Sequence, residues 1–108
     1  MKFECKGEVF IKAVQQVSRA RSKTQSQQFL QDIHLEVSGH LLTLRATNLE
    51  IFCEKSIPVK GFTNGSCLLQ GETLLRILST FQSNDITLSC EIYDGVFSIT
   101  TEKGVIEI

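Results

Sequence analysis

A repeated order of segments constrains the fold of this chain more than any other feature of its sequence. Residues 1–6, MKFECK, alternate apolar and polar side chains as a strand does, and a pattern typical of an amphipathic helix follows them. Three more alternating segments come next: FLQDIHLEV, with Ile33, Leu35 and Val37 on one face, then HLLTLRAT, then LEIFCEKSIPV at residues 49–59. The order of strand, helix and three strands then returns between residues 66 and 108. We therefore predict two internal repeats, at about residues 1–60 and 61–108.

The two predicted repeats also share a local pattern, since DIHLEV at residues 32–37 resembles DITLSC at residues 85–90. Each repeat would form a sheet segment that is crossed by one helix. The economical packing places both helices side by side on one face of antiparallel sheets. We therefore expect a single α+β domain built from two βαβββ repeats.

Three short signals are expected to mark turns and strand ends. Pro58, the single proline, predicts the end of a strand or an edge position, because proline cannot donate a hydrogen bond to a sheet. Asn64-Gly65, within FTNGS, favours positive φ and predicts a tight turn. Tyr93-Asp94-Gly95 predicts a hairpin between the two strands that follow the second helix.

The first helix lies within VFIKAVQQVSRARSK, residues 9–23, and has two distinct faces. Spacings of three and four residues give the stripe that a helix buries in a core, formed by Phe10, Ala13, Val14, Val17 and Ala20. The opposite face carries Lys12, Gln16, Arg19 and Lys23. No acidic residue occurs between Glu8 and Asp32, whereas an exposed helix face usually mixes both signs of charge. This face is therefore the candidate binding surface.

The net charge of −1 conceals an uneven distribution of charge along the chain. Residues 1–31 contain six basic and two acidic residues, a net charge of +4, and residues 32–108 contain five basic and ten acidic residues, a net charge of −5. A protein with this distribution can offer one basic surface to a polyanion although the whole molecule repels it.

Several classes of protein are disfavoured by the sequence. Apolar runs of two or three residues are too short to span a membrane, and the first residues lack a secretory signal, so we expect a cytoplasmic protein. Disulfides or a metal site are disfavoured because the four cysteines are widely spaced, with no C-x-x-C pair. We expect Cys5, Cys53, Cys67 and Cys90 to be reduced thiols that behave as small core residues.

An enzyme is also disfavoured. The chain has no G-x-S-x-G elbow and no glycine-rich phosphate loop, and its two histidines, His34 and His40, are interpreted as exposed bystanders. Carboxylates at strand spacing are interpreted as a solvated face rather than an acid–base pair; they are Asp32, Glu36, Glu50 and Glu54. We predict no catalytic residue, no metal and no cofactor.

Three stretches carry a resemblance to a known family. MKFECKGEVFIKAVQQVSRA, then LTLRATNLEI, then the second strand, helix and hairpin resemble the first domain of the bacterial sliding clamp, the beta subunit of DNA polymerase III. The corner A-T-N-L-E-I at residues 46–51 usually reads T-D-L-E in that family. The resemblance extends from Met1 to Ile108 and implies that the chain is the N-terminal part of a longer chain of three domains.

The resemblance implies a DNA sliding clamp, the processivity factor of DNA replication. Such clamps are closed rings whose helices face double-stranded DNA, and they contact phosphates without reading bases. The DNA-binding residues implied here are Lys12, Gln16, Arg19, Arg21, Lys23 and Arg76. The alternative is a non-enzymatic protein-interaction module with a clamp-like fold that does not encircle DNA.

Other features of the family carry over less completely. The second helix, GETLLRILSTF, buries Leu74, Leu75, Leu78 and Phe81 and retains only Arg76 as a basic residue. The resemblance implies that an edge strand with Lys103, Ile106 and Ile108 forms the subunit interface of the ring. The alternative is that both isoleucines belong to the core of this domain. DNA polymerase III and the clamp loader would bind through domains that are not in this chain, so no peptide-pocket residue is assigned.

Overall fold

The computed structural model describes residues 1–20, 32–80 and 86–108, which form two antiparallel sheets and two helices. The elements in chain order are β1 (Lys2–Lys6), α1 (Gly7–Ser18), β2 (Asp32–Ser38), β3 (Leu41–Thr47), β4 (Phe52–Pro58), β5 (Lys60–Thr63), β6 (Gly65–Gln70), α2 (Gly71–Leu78), β7 (Thr87–Tyr93), β8 (Val96–Thr101) and β9 (Gly104–Glu107). The predicted α+β class, with two helices and antiparallel sheets, is confirmed.

The two sheets exchange strands between the halves of the chain. The five-stranded sheet has the order β5-β1-β7-β8-β9, and the four-stranded sheet has the order β4-β3-β2-β6. The first strand, β1, therefore pairs with β7 of the second half, and β6 pairs with β2 of the first half. Because each sheet contains strands from both halves, neither half can complete its own sheet alone.

The core lies between the sheets and the two helices, which also contact each other. The predicted stripe of α1 is buried, and the rings of Phe10 and Phe3 meet edge to face with centroids 5.7 Å apart. Alternation buries Ile33, Leu35 and Val37 of β2 as predicted. The sequence pattern thus identified the inward faces of α1 and β2, and of the predicted stripe of α2 Leu74 and Leu78 are buried while Leu75 is half-buried.

Two predicted elements are shorter in the structure. The first helix ends at Ser18 rather than continuing through the basic residues, and the N–H of Ala20 bonds the carbonyl of Val17 at 3.0 Å in a tightened last turn. The second helix ends at Leu78. Of the predicted helical residues, Arg21, Lys23 and Phe81 lie outside the described residues.

Strand β4 begins at Phe52, three residues later than predicted, because a hydrogen-bonded turn precedes it. The Asn48 side-chain oxygen accepts bonds from the N–H groups of Glu50 and Ile51, at 3.0 and 2.8 Å. This turn holds Leu49 at φ +78°, a conformation that L-residues rarely adopt. The strand ends at Pro58 and lies at the sheet edge, as proline predicted.

FTNGS does not form the predicted tight turn, although Gly65 has the predicted positive φ, at +154°. The structure has strand β5 there, paired with β1, and the chain then crosses at Asn64 to the other sheet, where β6 begins. The partner of β5 is distant in sequence, so local turn signals could not reveal it. The Tyr93–Val96 hairpin is confirmed, with positive φ at Asp94 and Gly95 as a type I′ turn requires.

The four cysteines are free thiols, as predicted, and three of them have raised pKa values. Burial raises the pKa of Cys5 from 9.0 to about 12 and that of Cys67 to about 11. Burial also raises the pKa of the fully buried Cys90 well above its ordinary value. At neutral pH these thiols are protonated and act as small apolar side chains.

These raised pKa values predict that the domain loses stability in alkali. Between about pH 9 and 11 the unfolded chain releases thiol protons that the native state retains, so stability is complete below pH 9 and falls as pH rises. Each thiol contributes a slope of at most about 1.4 kcal/mol per pH unit. Urea unfolding under reducing conditions at pH 8, 9 and 10 would measure this decline. The variant Cys67→Ala should show a shallower decline, and a pH-independent free energy of unfolding would contradict the prediction.

Candidate nucleic-acid interface

The exposed face of α1 carries the basic residues that the sequence singled out. Because the apolar stripe is fixed in the core, Lys12, Gln16 and Arg19 are all exposed on the opposite side. Lys12 is not a lone cation, since its Nζ lies 3.3 Å from Glu8 Oε1, one turn earlier. The face therefore carries both signs of charge at its N-terminal end. The sequence pattern did not indicate this, because Glu8 lies just before the stretch without acidic residues. An exposed i,i+4 pair of this kind is weak and leaves the lysine accessible.

Arg19 differs from Lys12 in its surroundings. It is the C-terminal cap residue of α1, where a cation also interacts favourably with the helix dipole. Within residues 1–20, 32–80 and 86–108, no carboxylate forms an ion pair with it. Arg21 and Lys23, the other predicted DNA-binding residues of this segment, lie outside the described residues.

A groove separates α1 from the edge strand β4. One part of it is bordered by Val9, Lys12, Ala13, Gln15, Gln16, Arg19, Lys55, Ser56, Ile57 and Pro58. A second part shares Gln16, Arg19 and Lys55 and continues to Ile51, Cys53 and Glu54. The groove thus brings Lys12 and Arg19 of the helix together with Lys55 of the strand. We call this surface the α1–β4 groove.

Sequence reasoning missed Lys55, because alternation along β4 gives the face of the lysine but not the helix that lies beside it. Within β4, side chains alternate, and Cys53, Lys55 and Ile57 share the face that turns towards α1. Ile57 is buried, and the Cys53 thiol lies 3.9 Å from the carbonyl oxygen of Gln16. A lysine between two such positions must lie beside the helix, and the edge position of β4 keeps it exposed.

Two carboxylates of the four-stranded sheet, those of Glu36 and Glu54, bind Arg45. Arg45 Nη1 lies 3.0 Å from Glu36 Oε1, and its Nε lies 2.8 Å from Glu54 Oε1. These hydrogen bonds, first that of Glu36 and then that of Glu54, raise the pKa of the guanidinium. Two carboxylates that bind the same guanidinium across neighbouring strands form a structural cluster. This agrees with the interpretation of the strand carboxylates as a solvated face.

The two histidines contact neighbouring groups rather than standing free. His34 Nδ1 lies 3.4 Å from Arg45 Nη1 in the same cross-strand cluster. His40 Nδ1 accepts a hydrogen bond from the N–H of Gly61 at 3.1 Å and so fastens the β2–β3 turn to β5. The interpretation of both as bystanders is therefore corrected, and His40 has a structural role.

Arg76 lies on the exposed side of α2, the helix that contacts α1. Its Nη2 is 3.0 Å from Glu72 Oε1, so this basic residue is also paired one turn away. The two helices therefore present a surface on which Lys12 and Arg76 are each accompanied by a glutamate. Arg19, the residue that follows α1, has no such carboxylate partner among the described residues.

The predicted interface residues lie at the free edge of the five-stranded sheet. Among the described strands, β9 pairs with β8 alone, and Ile108 exchanges hydrogen bonds with Phe97 of β8 at 2.8 and 3.2 Å. By the alternation of antiparallel pairing, the backbone groups of Val105 and Glu107 point away from β8. Ile106 is half-buried opposite the buried Ile99, Ile108 is 39% exposed, and Lys103 is exposed. Neither isoleucine belongs to the fully buried core.

In the part of the chain that the structure describes, no group of three or more His, Cys, Asp or Glu side chains is placed to hold a metal ion. Neither described helix is long and apolar enough to cross a membrane. The α1 face and the α1–β4 groove remain the candidate site.

Comparisons with known proteins agree on one family. Residues 1–102 match the family model for the DNA polymerase III beta subunit, N-terminal domain. The beta sliding clamp of Treponema pallidum (strain Nichols) is 29% identical over 92 residues, which are 84% of this chain and 25% of that protein. This chain therefore spans about a quarter of the length of that relative.

Solved structures of similar proteins show the same fold. The beta subunit of DNA polymerase from Streptococcus pyogenes matches all of this chain and 29% of its own, with a TM-score of 0.91 and 24% identity. The sliding clamp of Bartonella birtlesii matches all of this chain and 29% of its own, with a TM-score of 0.92 and 16% identity. At these identities the likeness concerns the fold.

Proposed function

The chain belongs to the family of the N-terminal domain of the DNA polymerase III beta subunit, and from this premise we propose that it is one domain of a DNA sliding clamp. Its role would be to contribute to a ring that encircles duplex DNA and tethers the replicative polymerase in the cytoplasm. It would act as a non-enzymatic processivity factor, without a catalytic residue or cofactor of its own.

The observation that carries this proposal is the orientation of α1. Burial of its apolar stripe leaves Lys12, Gln16 and Arg19 exposed together on one face. Such side chains bind phosphates without reading the sequence of bases, and the attraction weakens with salt. Weak, sequence-independent contact is what a ring needs in order to move along DNA. We propose that Arg21, Lys23 and Arg76 add to this surface.

A ring requires more than one domain, and the rest of it is part of the proposal. We propose that this domain, with its repeats at about residues 1–60 and 61–108, is the N-terminal part of a three-domain chain. DNA polymerase III and the clamp loader would bind the other domains. Strand β9 would close the ring against a second subunit, with Lys103, Ile106 and Ile108 at the contact. The outward-facing backbone groups of Val105 and Glu107 support this role, because a free edge can add a strand.

A protein-interaction module that does not encircle DNA is the second candidate function. It is favoured by one observation, namely that Lys12 and Arg76 are paired with Glu8 and Glu72. These pairs reduce the positive potential of the two helices, and a surface that holds DNA needs positive potential.

Replacing Arg19, Arg21 and Lys23 together by serine tests the DNA-binding role. We expect weaker binding to duplexes of every sequence, and the slope of log K against log salt should decrease by about 3. Fluorescence anisotropy of a labelled duplex over a series of salt concentrations measures both quantities.

The matched control replaces Lys2, Lys60 and Lys103 by serine. This triple variant loses the same charge from strands and a turn outside α1. If both triple variants lower the slope equally, binding follows overall charge and the helix is not the DNA-facing surface. Binding by the α1 variant that equals that of the unaltered chain would favour the protein-interaction module.

A further inference from the structure

We propose that one glutamate on each helix competes with DNA phosphate for a basic side chain and thereby limits how strongly the domain binds duplex DNA. The glutamates are Glu8 and Glu72, and the basic side chains are Lys12 and Arg76. The presence of DNA rests on the proposed function, whereas the role of the glutamates comes from the contacts within the helices. Each glutamate is a positioning residue, since it acts through its cation.

The two helices begin in the same way. Each follows a strand without an intervening loop and opens with Gly-Glu, at Gly7-Glu8 in α1 and at Gly71-Glu72 in α2. Within the described bounds of each helix, this glutamate is the one acidic residue, and the one basic residue lies four positions later. One negative and one positive charge give each helix a net charge of zero. The pairing is therefore common to both helices that carry the candidate DNA-binding residues.

The two ion pairs are close but can exchange partners. Lys12 Nζ lies 3.3 Å from Glu8 Oε1, and Arg76 Nη2 lies 3.0 Å from Glu72 Oε1. A glutamate four residues before its cation is the favourable order on a helix. The side chains of Lys12 and Arg76 are nevertheless 73% and 74% exposed, and exposed pairs of this kind are weak. A phosphate can therefore reach either cation, but it competes there with a carboxylate that is already bound.

This competition changes both the affinity for DNA and its salt dependence. A cation that leaves a carboxylate for a phosphate gains less than a cation that leaves water, and the displaced carboxylate repels the nearby phosphates. A helix of zero net charge also releases fewer counterions from DNA than a basic helix does. Each pair therefore weakens binding and lowers the slope of log K against log salt. Such a limit suits a domain that moves along DNA, because strong contact would hold it in place.

A purely structural role is the alternative for the glutamates. The N-terminal cap residues, Lys6 and Gln70, form no side-chain cap hydrogen bond, and an acidic residue in the first turn interacts favourably with the helix dipole. In that case, loss of the carboxylates would lower stability and leave duplex binding by the folded variant unchanged. Measuring unfolding and binding on the same variants separates the two roles.

The test is the double variant Glu8→Gln/Glu72→Gln, which removes both charges and nearly keeps the shape of the side chains. We expect it to bind a duplex more tightly at low salt, by about two- to fivefold for each pair, and to raise the salt slope by up to about 2. The matched control, Asp94→Asn/Glu102→Gln, removes two acidic charges from exposed turns outside both helices and should gain much less. Anisotropy of a labelled duplex measures binding, and urea unfolding measures stability.

A second comparison shows whether a glutamate acts through its own cation. Glu8→Gln should tighten binding in the unaltered chain but not in Lys12→Gln, so the two substitutions should be non-additive. Glu8→Asp keeps the carboxylate and should bind more nearly as the unaltered chain does. Equal tightening by Glu8→Gln with and without Lys12 would mean that the glutamate repels DNA directly and does not compete for the lysine.

The remaining outcomes distinguish failure of this proposal from failure of the proposed function. If the double variant binds no more tightly than the control, the glutamates do not limit DNA binding, whereas salt-dependent binding by the unaltered chain would still support the DNA-facing role. If neither the unaltered chain nor the double variant binds a duplex even at low salt, the DNA-facing role of this domain fails, and the role of the glutamates fails with it.

Discussion

Gly61→Ala is expected to lower the free energy of unfolding by about 2–3 kcal/mol, the cost of forcing extra volume into a packed site. A Cβ on Gly61 would lie 2.9 Å from the carbonyl carbon of Gly39 and closer still to its oxygen. These are backbone atoms, so relief requires movement of the β2–β3 turn rather than of a flexible side chain. The midpoint of urea unfolding measures the loss.

Movement of this turn is costly because hydrogen bonds hold it on two sides. The N–H of Gly61 donates to His40 Nδ1 at 3.1 Å, and the N–H of Gly39 donates to Asn64 Oδ1 at 2.8 Å. The control is Thr63→Ala, on the same strand and exposed, which should stay within about 0.5 kcal/mol of the unaltered chain. Equal stability of the two variants would show that the turn can move freely.

This same region shows why part of the fold could not be predicted. Alternation identified β2 and its inward residues Ile33, Leu35 and Val37. Successive side chains of a strand point to opposite faces, so the buried face can be recognised from neighbouring residues alone. The need for glycine at position 61 arises from Gly39, twenty-two positions earlier, and depends on how two sheets meet. Strand β5 was therefore read as part of a turn. Pairing between distant segments leaves no local signal in a single sequence.

The ends of elements were less predictable than their faces. The apolar stripe of α1 was correct, yet its helical conformation ends at Ser18, since the pattern does not show where backbone hydrogen bonds shift from i→i+4 to i→i+3. The start of β4 was displaced for a related reason. Asn48 forms a turn through its side chain, and the apolar residues Leu49 and Ile51 imitate the alternation of a strand.

The candidate site was predictable only where it lies on one element. Lys12, Gln16 and Arg19 were found from helical spacing alone. The i,i+4 spacing of Glu8 and Lys12 also predicts their ion pair. This pair was overlooked because Glu8 lies just before the stretch without acidic residues. Lys55 belongs to a different element, and its place beside α1 follows from the packing of the helix on the edge of a sheet. Surfaces shared by two elements require the tertiary structure.

Phe10→Ala is expected to have the largest effect of any substitution considered, a loss of about 3–5 kcal/mol of stability. The Phe10 side chain is fully buried, and its ring meets that of Phe3 at 76° with centroids 5.7 Å apart. Alanine would leave a cavity at the point where α1 is fixed to β1. Domains of this size are stable by about 5–15 kcal/mol, so the variant should unfold at much lower urea concentrations.

Phe10→Leu provides the control that links this prediction to function, because leucine fills most of the space and should cost less. Phe10 lies on the face of α1 opposite Lys12, so the folded leucine variant should retain the salt dependence of duplex binding. If leucine costs as much as alanine, the loss comes from the edge-to-face pair rather than from a cavity, and a double-mutant cycle with Phe3→Leu should give a coupling above about 1.5 kcal/mol. A reduced salt slope in the leucine variant would mean that the core packing of α1 sets the position of its basic face, and that stability and DNA contact in this domain cannot be separated by substitution on opposite faces of the helix.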